Sequence, residues 1–301
     1  MKNKVKNEDL DVIADFIRNN IFFPQYEKKN TIFLCGADIN DSSKFRAKLA
    51  ASLTKKTKYE LLFPEDIFDD LLAENGKYSL LELENILAKN VDAIIIIPES
   101  PGSLAELGAF SNNKELAKKT IVISNKKYEK KKSFINYGPY RLIRKSGSGK
   151  VIHVNYDDFH DVNESEKIIR NISGHVRDIK SKNPIDRGAA NILEAERFIL
   201  PCIYLLDYVD FSMLLHLLMF ATKESKELCE IAIKSALGRL TKSSRISKLG
   251  TDYKVTNAGV KFVMDKFPLQ LLDNARIEII NVENRRHASL RYGMLRSSAR
   301  P

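Results

Sequence analysis

The sequence predicts an α/β fold, a parallel sheet flanked by helices, followed by a mainly helical region. Two observations carry this. Four apolar segments, TIFLCGAD (31–38), YELLFPEDIF (59–68), VDAIIIIPES (91–100) and TIVISN (120–125), alternate with stretches of helical period. A β-α-β-α-β-α-β order of this kind closes as a Rossmann-like parallel sheet with helices on both faces. The run Ala93-Ile94-Ile95-Ile96-Ile97 also lacks the polar alternation of a half-exposed strand, so both of its faces must be covered.

In chain order, EDLDVIADFIRNN (8–20) places Leu10, Ile13, Phe16 and Ile17 at helical spacing and predicts a short opening helix. The first strand ends in a turn at Gly36, and a charged helix over about 42–57 leads to the second strand. In SLLELENILAKN (79–90), Ser79 is a candidate N-cap, and Leu80, Leu83, Ile86 and Leu87 share one helical face. The third strand follows, then a helix over about 104–118 and the fourth strand. Residues 157–190 are polar and weakly periodic and read as a helical connector. Beyond 191 come helices, then SKELCEIAIKSALGRLTKSSR (225–245), ISKL (246–249), a GTD turn, YKVT (253–256) and a helix opened by Thr256 or Asn257. Helix, helix, β-hairpin, helix is the outline of a winged helix-turn-helix. The predicted organisation is an N-terminal helix (1–30), the α/β domain (31–156), the connector (157–204) and a winged helix-turn-helix domain with a basic tail (205–301).

The formal net charge of +10 is unevenly spread. Residues 51–100 carry 5 basic and 10 acidic side chains, residues 101–150 carry 12 and 3, and residues 201–301 carry 16 and 10. Such patches suit polyanionic partners, nucleic acid above all. On the hairpin region, Lys234, Arg239, Lys242 and Arg245 fall on the candidate recognition helix and its exit, Lys248 and Lys254 on the wing, and Arg285 and Arg286 in the tail. The lysines of NKKYEKKKS (125–133) read as a solvated surface. No apolar run is long enough to span a membrane and the charged start MKNKVKNEDL is no signal peptide, so a cytoplasmic chain is expected.

Cys35, Cys202 and Cys229 show no metal or disulfide spacing and read as buried small hydrophobes, and the five histidines are scattered, His216 within an apolar stretch. SGSGK (146–150) lacks the first glycine and the final Ser/Thr of a phosphate loop and reads as a turn.

Ligands of parallel sheets sit beyond the carboxyl ends of the strands. The loops there, CGADIND, PEDIFDD and PESPGS, are rich in carboxylates and glycine. Glu106, just beyond the third strand, has two readings. Ser103 and Glu106 match the S-x-x-E capping box, which makes Glu106 a helix cap. Alternatively Glu106, beside the carboxylates Asp38, Asp66, Asp69, Glu84 and Asp92 and stabilised as an anion by the helix macrodipole, suits cleavage at an anomeric carbon. There an oxocarbenium-like transition state needs nearby negative charge, and an N-glycosidic bond of a nucleoside or of NAD fits a site of this size.

TIFLCGAD, LFPEDIFDDLLA, SLLELENILAKNVDAIIIIPESPGSLAELGAFSNN, SFINYGPYRLIRK, ERFILPCIYLLD and ENRR, in this order along the chain, resemble the effector protein of type II retrons. The first domain of that family is similar to nucleoside 2-deoxyribosyltransferases and its second is a winged-helix DNA-binding module. The resemblance implies an antiviral toxin, an N-glycosidase that consumes NAD or nucleotides as substrate and needs no cofactor or metal. It implies partners as well: the retron reverse transcriptase with its msDNA, a branched DNA–RNA, in an arrangement that admits higher-order assembly. It places the nucleophile at Glu106, the second carboxylate at Glu84 and the opening glycine turn at Gly36. Asp38, Asp69, Ser100, Gly102 and Asn112 are then candidates for substrate contacts. Ser100 stands where the transferases carry an aspartate six positions before the nucleophile, which turns the expectation from base exchange toward hydrolysis. The alternatives are a non-catalytic, nucleotide-sensing DNA-binding regulator and a structural partner of the reverse transcriptase. The role of Tyr137, Gly138, Pro139 and Tyr140 is left open between pocket and turn.

Overall fold

The computed structural model describes residues 7–22, 30–64, 79–185, 188–206 and 209–298, the last stretch from 285 by its backbone alone. The chain forms two compact units, Lys28–Asp186 and a second made of Met1–Glu27 with Arg187–Pro301. The boundary falls inside the segment 157–204 that the sequence reads as one connector.

The first unit is the α/β fold. Strands β1 (Asn30–Cys35), β2 (Tyr59–Leu62), β3 (Ala93–Ile96), β4 (Thr120–Asn125) and β5 (Lys150–Val154) form one sheet of order β2-β1-β3-β4-β5. All four pairings are parallel, with Ile32 opposite both Leu61 and Ala93. The chain moves outward from β1 to β2 and then crosses to β3, so the topological switch point lies between the carboxyl ends of β1 and β3. Every residue of β3 is buried, as its unbroken apolar run requires. The fifth strand lies at an edge and is half-exposed along most of its length.

Helices α2 (Phe45–Lys56), α3 (Leu80–Lys89), α4 (Pro101–Asn112) and α5 (Lys114–Lys119) connect these strands, followed by α6 (Phe134–Tyr137), α7 (Pro139–Lys145) and α8 (Val162–Lys182). The predicted helix over 104–118 is two helices, because Asn113 caps a new start by accepting the amides of Glu115 and Leu116. One sheet face, Ile32, Leu34, Ile95 and Ile121, packs against Leu49 and Leu53 of α2 and Ile169, Ile172 and Val176 of α8. Half of the expected connector is thus a core helix of this unit: its apolar residues are few but recur every three or four positions. SGSGK is a turn, with Gly147 at φ 97° and the Ser146 hydroxyl donating to Ala117 O and Ile143 O.

The second unit begins with α1 (Asn7–Ile17), whose buried Leu10, Ile13 and Ile17 follow the predicted face. Its core continues through α9 (Ala195–Leu205), α10 (Phe211–Thr222) and α11 (Lys226–Lys242). His216 on α10 is tied to Asp11 on α1, Nε2 to carboxylate at 2.7 Å, so the histidine in an apolar stretch has a structural partner. Strands β6 (Val209–Asp210), β7 (Ile246–Leu249) and β8 (Asp252–Val255) make an antiparallel sheet of order β6-β8-β7. The β7–β8 turn passes through Gly250 at φ 63°, a conformation that glycine adopts without cost. Thr256 caps α12 (Asn257–Lys266) by accepting the Gly259 amide, and α13 (Leu269–Ser298) ends the described chain. Among the described residues no helix is long and apolar enough to cross a membrane.

Candidate functional site

Strand periodicity puts Phe33 and Cys35 on the same sheet face, opposite to that of Ile32 and Leu34. The ring of Phe33 meets Phe110 of α4, their centroids 6.3 Å apart. Glu106 lies four residues before Phe110, one helical turn nearer the carboxyl ends of the strands, as Cys35 is one strand repeat beyond Phe33. The side chains meet as this spacing requires: Glu106 hydrogen-bonds the Cys35 thiol, and Glu84 of α3 acts on the same sulfur electrostatically. Both carboxylates named from the sequence thus lie near Cys35, at the switch point, Glu106 in hydrogen-bond contact and Glu84 close enough to act through its charge. Glu84 is buried at 4% exposure, and one carboxylate oxygen of Glu106 is shielded from solvent.

Cys35 was not singled out for the site, because an isolated cysteine in an apolar strand carries no spacing signal. Burial, with Glu106 and Glu84 adding to it, pushes its thiol well above the ordinary range. The thiol of Cys202 is raised by burial too, as is that of Cys229. All three cysteines of the folded protein should therefore resist a thiol reagent such as iodoacetamide at pH 8, where an exposed cysteine is alkylated in minutes; mass spectrometry before and after denaturation is the check.

The helix cap differs from the sequence expectation. Helix α4 starts at Pro101, its N-cap is Ser100, and the capping box joins Ser100 to Ser103. The Ser103 amide donates to Ser100 Oγ at 3.2 Å and the Ser100 amide to Ser103 Oγ at 3.0 Å. Proline at the first helical position sets this start three residues before the expected one. Glu106 is consequently not a cap, and it stands in the second turn, where the macrodipole has largely faded. Ser100 Oγ also donates to Gly36 O at 3.2 Å, which joins the loops after β1 and β3.

Gly36 makes room for a neighbour. A Cβ built there would lie 2.8 Å from Cδ of Arg46, whose side chain is buried at 1% exposure. Arg46 donates from Nη1 to Ala37 O at 2.7 Å and from Nη2 to Leu34 O at 2.8 Å, bracing the turn from inside. Glu99 accepts the amides of Phe45 and Arg46 at 3.0 and 3.1 Å and so caps α2 from a distant loop.

The other expected contacts disperse. Asp38 is exposed and accepts the Asn40 amide at 3.0 Å within its own turn. Gly102 is exposed in the first turn of α4, and Asn112 is exposed at that helix's far end, about 18 Å along the axis from Ser100. Asp92 lies at the amino-terminal end of β3, away from the strands' carboxyl ends, where its carboxylate accepts the Thr31 amide at 2.8 Å. Asp66 and Asp69 lie outside the described residues. Gly138 joins α6 to α7, and Tyr140 lines a cavity of about 440 Å³ beyond β3 and β4. Tyr137 instead lies half-exposed beneath the Arg141 guanidinium.

In the second unit, Arg239 and Arg245 turn to Glu196 of α9, and Arg245 also lies 3.6 Å over the Phe262 ring. Arg239 donates to Ile192 O at 2.9 Å as well. These two arginines serve the unit's own packing, a role that basic patterning does not reveal. Lys242 and Lys248 are exposed, and Lys234 and Lys254 are half-exposed. Arg285 and Arg286 fall on α13, with their side chains outside the described residues.

Over 299 residues the chain is 39% identical to a protein of the Escherichia coli retron Ec86, 97% of each chain being covered, and that protein is named as a candidate ribosyltransferase/DNA-binding protein. Over 193 residues it is 32% identical to a protein of the Escherichia coli retron Ec73 of the same designation, covering 62% of this chain and 60% of that one. A family model described as the STM3845 retron effector protein matches residues 42–248. The chain thus belongs to the STM3845 retron effector family.

Proposed function

We propose that this effector is an N-glycosidase, a toxin of antiviral defence that cleaves the bond between ribose and base in NAD, a nucleotide or a nucleoside. The observation that carries the reading is that Glu84 and Glu106 both lie near Cys35 at the switch point, where a ligand of a parallel sheet binds. In the proposed reaction the C1′–N bond breaks and the base leaves with the bonding electrons. The Glu106 carboxylate attacks or stabilises the cationic C1′, Glu84 orients sugar or water, and water adds its hydroxyl to C1′; its proton passes to a departing purine or pyrimidine, or, with NAD, whose nicotinamide leaves neutral, to solvent. Gly36 and Ser100 shape the joined loops beside them, and Gly102 sits at the entrance to α4. The substrate is the only small molecule this chemistry requires. The ribosyltransferase designation of the Ec86 and Ec73 relatives supports the same bond class.

The second unit, with its strand order β6-β8-β7 and the helices before and after, has the topology of a winged helix. We assign it nucleic-acid binding, with the msDNA of the retron and its reverse transcriptase as the controlling partners; the DNA-binding designation of both relatives supports this. Lys242 and Lys248, exposed beside the hairpin, are the phosphate contacts expected to matter. Replacing both by Gln should reduce the slope of log affinity against log salt by about 2 for duplex DNA. Replacing Arg239 or Arg245, held by Glu196, should instead lower the melting temperature. An unchanged salt slope in the double lysine variant removes the assignment.

The activity is tested by incubating the protein, alone and with reverse transcriptase and msDNA, with NAD, ATP and deoxynucleosides, and separating released base by chromatography. Release of base supports the glycosidase. Nucleotide bound and returned intact under every condition supports a sensor instead.

A further inference from the structure

The cavity of about 440 Å³ beyond the carboxyl ends of β3 and β4 is not lined by Glu84, Glu106 or Cys35. Its volume falls in the range of about 300–1,000 Å³ that holds small-molecule ligands. Among the described residues, three lysines, Lys44, Lys127 and Lys131, line it with one carboxylate, Glu99. That carboxylate is engaged with the amide groups of α2, one oxygen to each.

Among the described residues no salt bridge neutralises these lysines. Lys127 and Lys131 each place Nζ 4.9 Å from the ring centroid of Tyr128, and a phenol ring attracts ammonium groups while leaving their charge intact. Asn136 fixes the loop that bears them, its Nδ2 donating to Tyr128 O at 2.9 Å and to Lys131 O at 2.6 Å. Tyr140 and Tyr156 line the same cavity. Tyr156 stacks on Phe45 at 4.1 Å, its hydroxyl donates to Ile123 O, and burial raises its pKa, so it adds no negative charge. Tyr140 is likewise raised by burial.

Ammonium groups beside neutral tyrosines, with Glu99 already engaged by amides, fit the phosphate end of a ligand. We propose that this cavity is a phosphate-ester subsite that takes the phosphate of a phosphorylated nucleoside, held by Lys127 and Lys131 with Lys44 in the same lining. The cavity adjoins the carboxylate pair through one loop: Pro98 and Glu99 line it, and the next residue, Ser100, is bonded to Gly36. Resting on the glycosidase reading, the inference makes the substrate a nucleotide and not a nucleoside.

The test uses the full chain carrying Glu106→Gln, so that binding is measured without turnover. Calorimetry with AMP, ADP-ribose, adenosine and inorganic phosphate should show both esters binding at least about tenfold more tightly than adenosine, the worth of one charge-assisted hydrogen bond. Raising the salt concentration should narrow that gap. Adding Lys127→Gln and Lys131→Gln should close it and leave adenosine affinity unchanged; both side chains are exposed, so the fold is not at stake. Competition by inorganic phosphate against AMP, but not against adenosine, would place the recognition on the phosphate itself. Equal affinities for AMP and adenosine, or a gap that survives the lysine substitutions, overturns the subsite. The glycosidase reading is judged separately on the parent protein. Tight AMP binding without base release removes the glycosidase and keeps the subsite, whereas equal release from adenosine and AMP removes the subsite and keeps the glycosidase.

Discussion

Glu106→Gln should reduce base release by about 10³-fold or more, the loss typical of removing a group that acts directly on the reacting carbon. The melting temperature should stay within about 2 °C of the parent, since glutamine fills the volume of glutamate and α4 keeps its cap. This pairing of outcomes is informative because the cap of α4 is made by Ser100 and Ser103 and leaves Glu106 out of it. The amide of glutamine can still accept the Cys35 thiol proton, so the contact inside the site persists while the negative charge is gone. Ser100→Ala is the complement: it removes the cap and should cost about 1 kcal/mol of stability. A Glu106→Gln protein that releases base at the parental rate ends the assignment of Glu106, whatever its stability.

The centre of the sheet was legible because β1, β3 and β4 are buried on both faces and therefore read as apolar runs. The edge strand Lys150–Val154 was not: its half-exposed residues KVIHV follow SGSGK, whose glycines pointed to a turn and drew attention from what came next. Helix Val162–Lys182 was seen as helical but not as core. Its buried stripe of Ile169, Ile172, Val176 and Ile179 is narrow and diluted by charged residues, and only packing shows which unit it joins. In the second unit the hairpin and the cap at Thr256 stood where turn chemistry put them.

The site was legible for its carboxylates and not for their surroundings. Glu84 and Glu106 lie 22 positions apart, and their nearness to Cys35 depends on α3 and α4 flanking one strand end. The cap was misplaced by three residues because the S-x-x-E rule selects Ser103 with Glu106, whereas the box that forms joins Ser100 to Ser103, a serine pair the rule does not name. Pro101 is the residue that discriminates, being favoured at the first position of a helix. Lys44 and the lysines of 125–133 are far apart in sequence, and a lysine run carries no sign of the cavity it borders. Arg239 and Arg245 show the converse, basic residues whose partner Glu196 sits more than forty positions away.

Arg46→Ala should destabilise the Lys28–Asp186 unit by about 3 kcal/mol or more, because two buried carbonyls lose their donors at once. For a unit of this size that is about 6–12 °C in melting temperature. The same experiment decides what Gly36 is for. A glycine in a loop at the carboxyl end of a strand is ordinarily assigned to the close approach of a ligand, but here the atoms a Cβ would meet are Cδ, Cβ and Cγ of Arg46, at 2.8, 3.0 and 3.1 Å. If Arg46 is the reason, Gly36→Ala should be costly alone and much cheaper in the Arg46→Ala background, where Cγ and Cδ are gone. The coupling between the two should then exceed about 0.5 kcal/mol, the scale that separates contacting from independent sites. Denaturant midpoints of the parent, both single variants and the double variant measure it. Because Gly36 O accepts the Ser100 hydroxyl and Gly36 follows Cys35, a Gly36→Ala protein that folds should also misplace Glu106 and lose activity. Additive stabilities combined with lost activity would instead return Gly36 to the ligand.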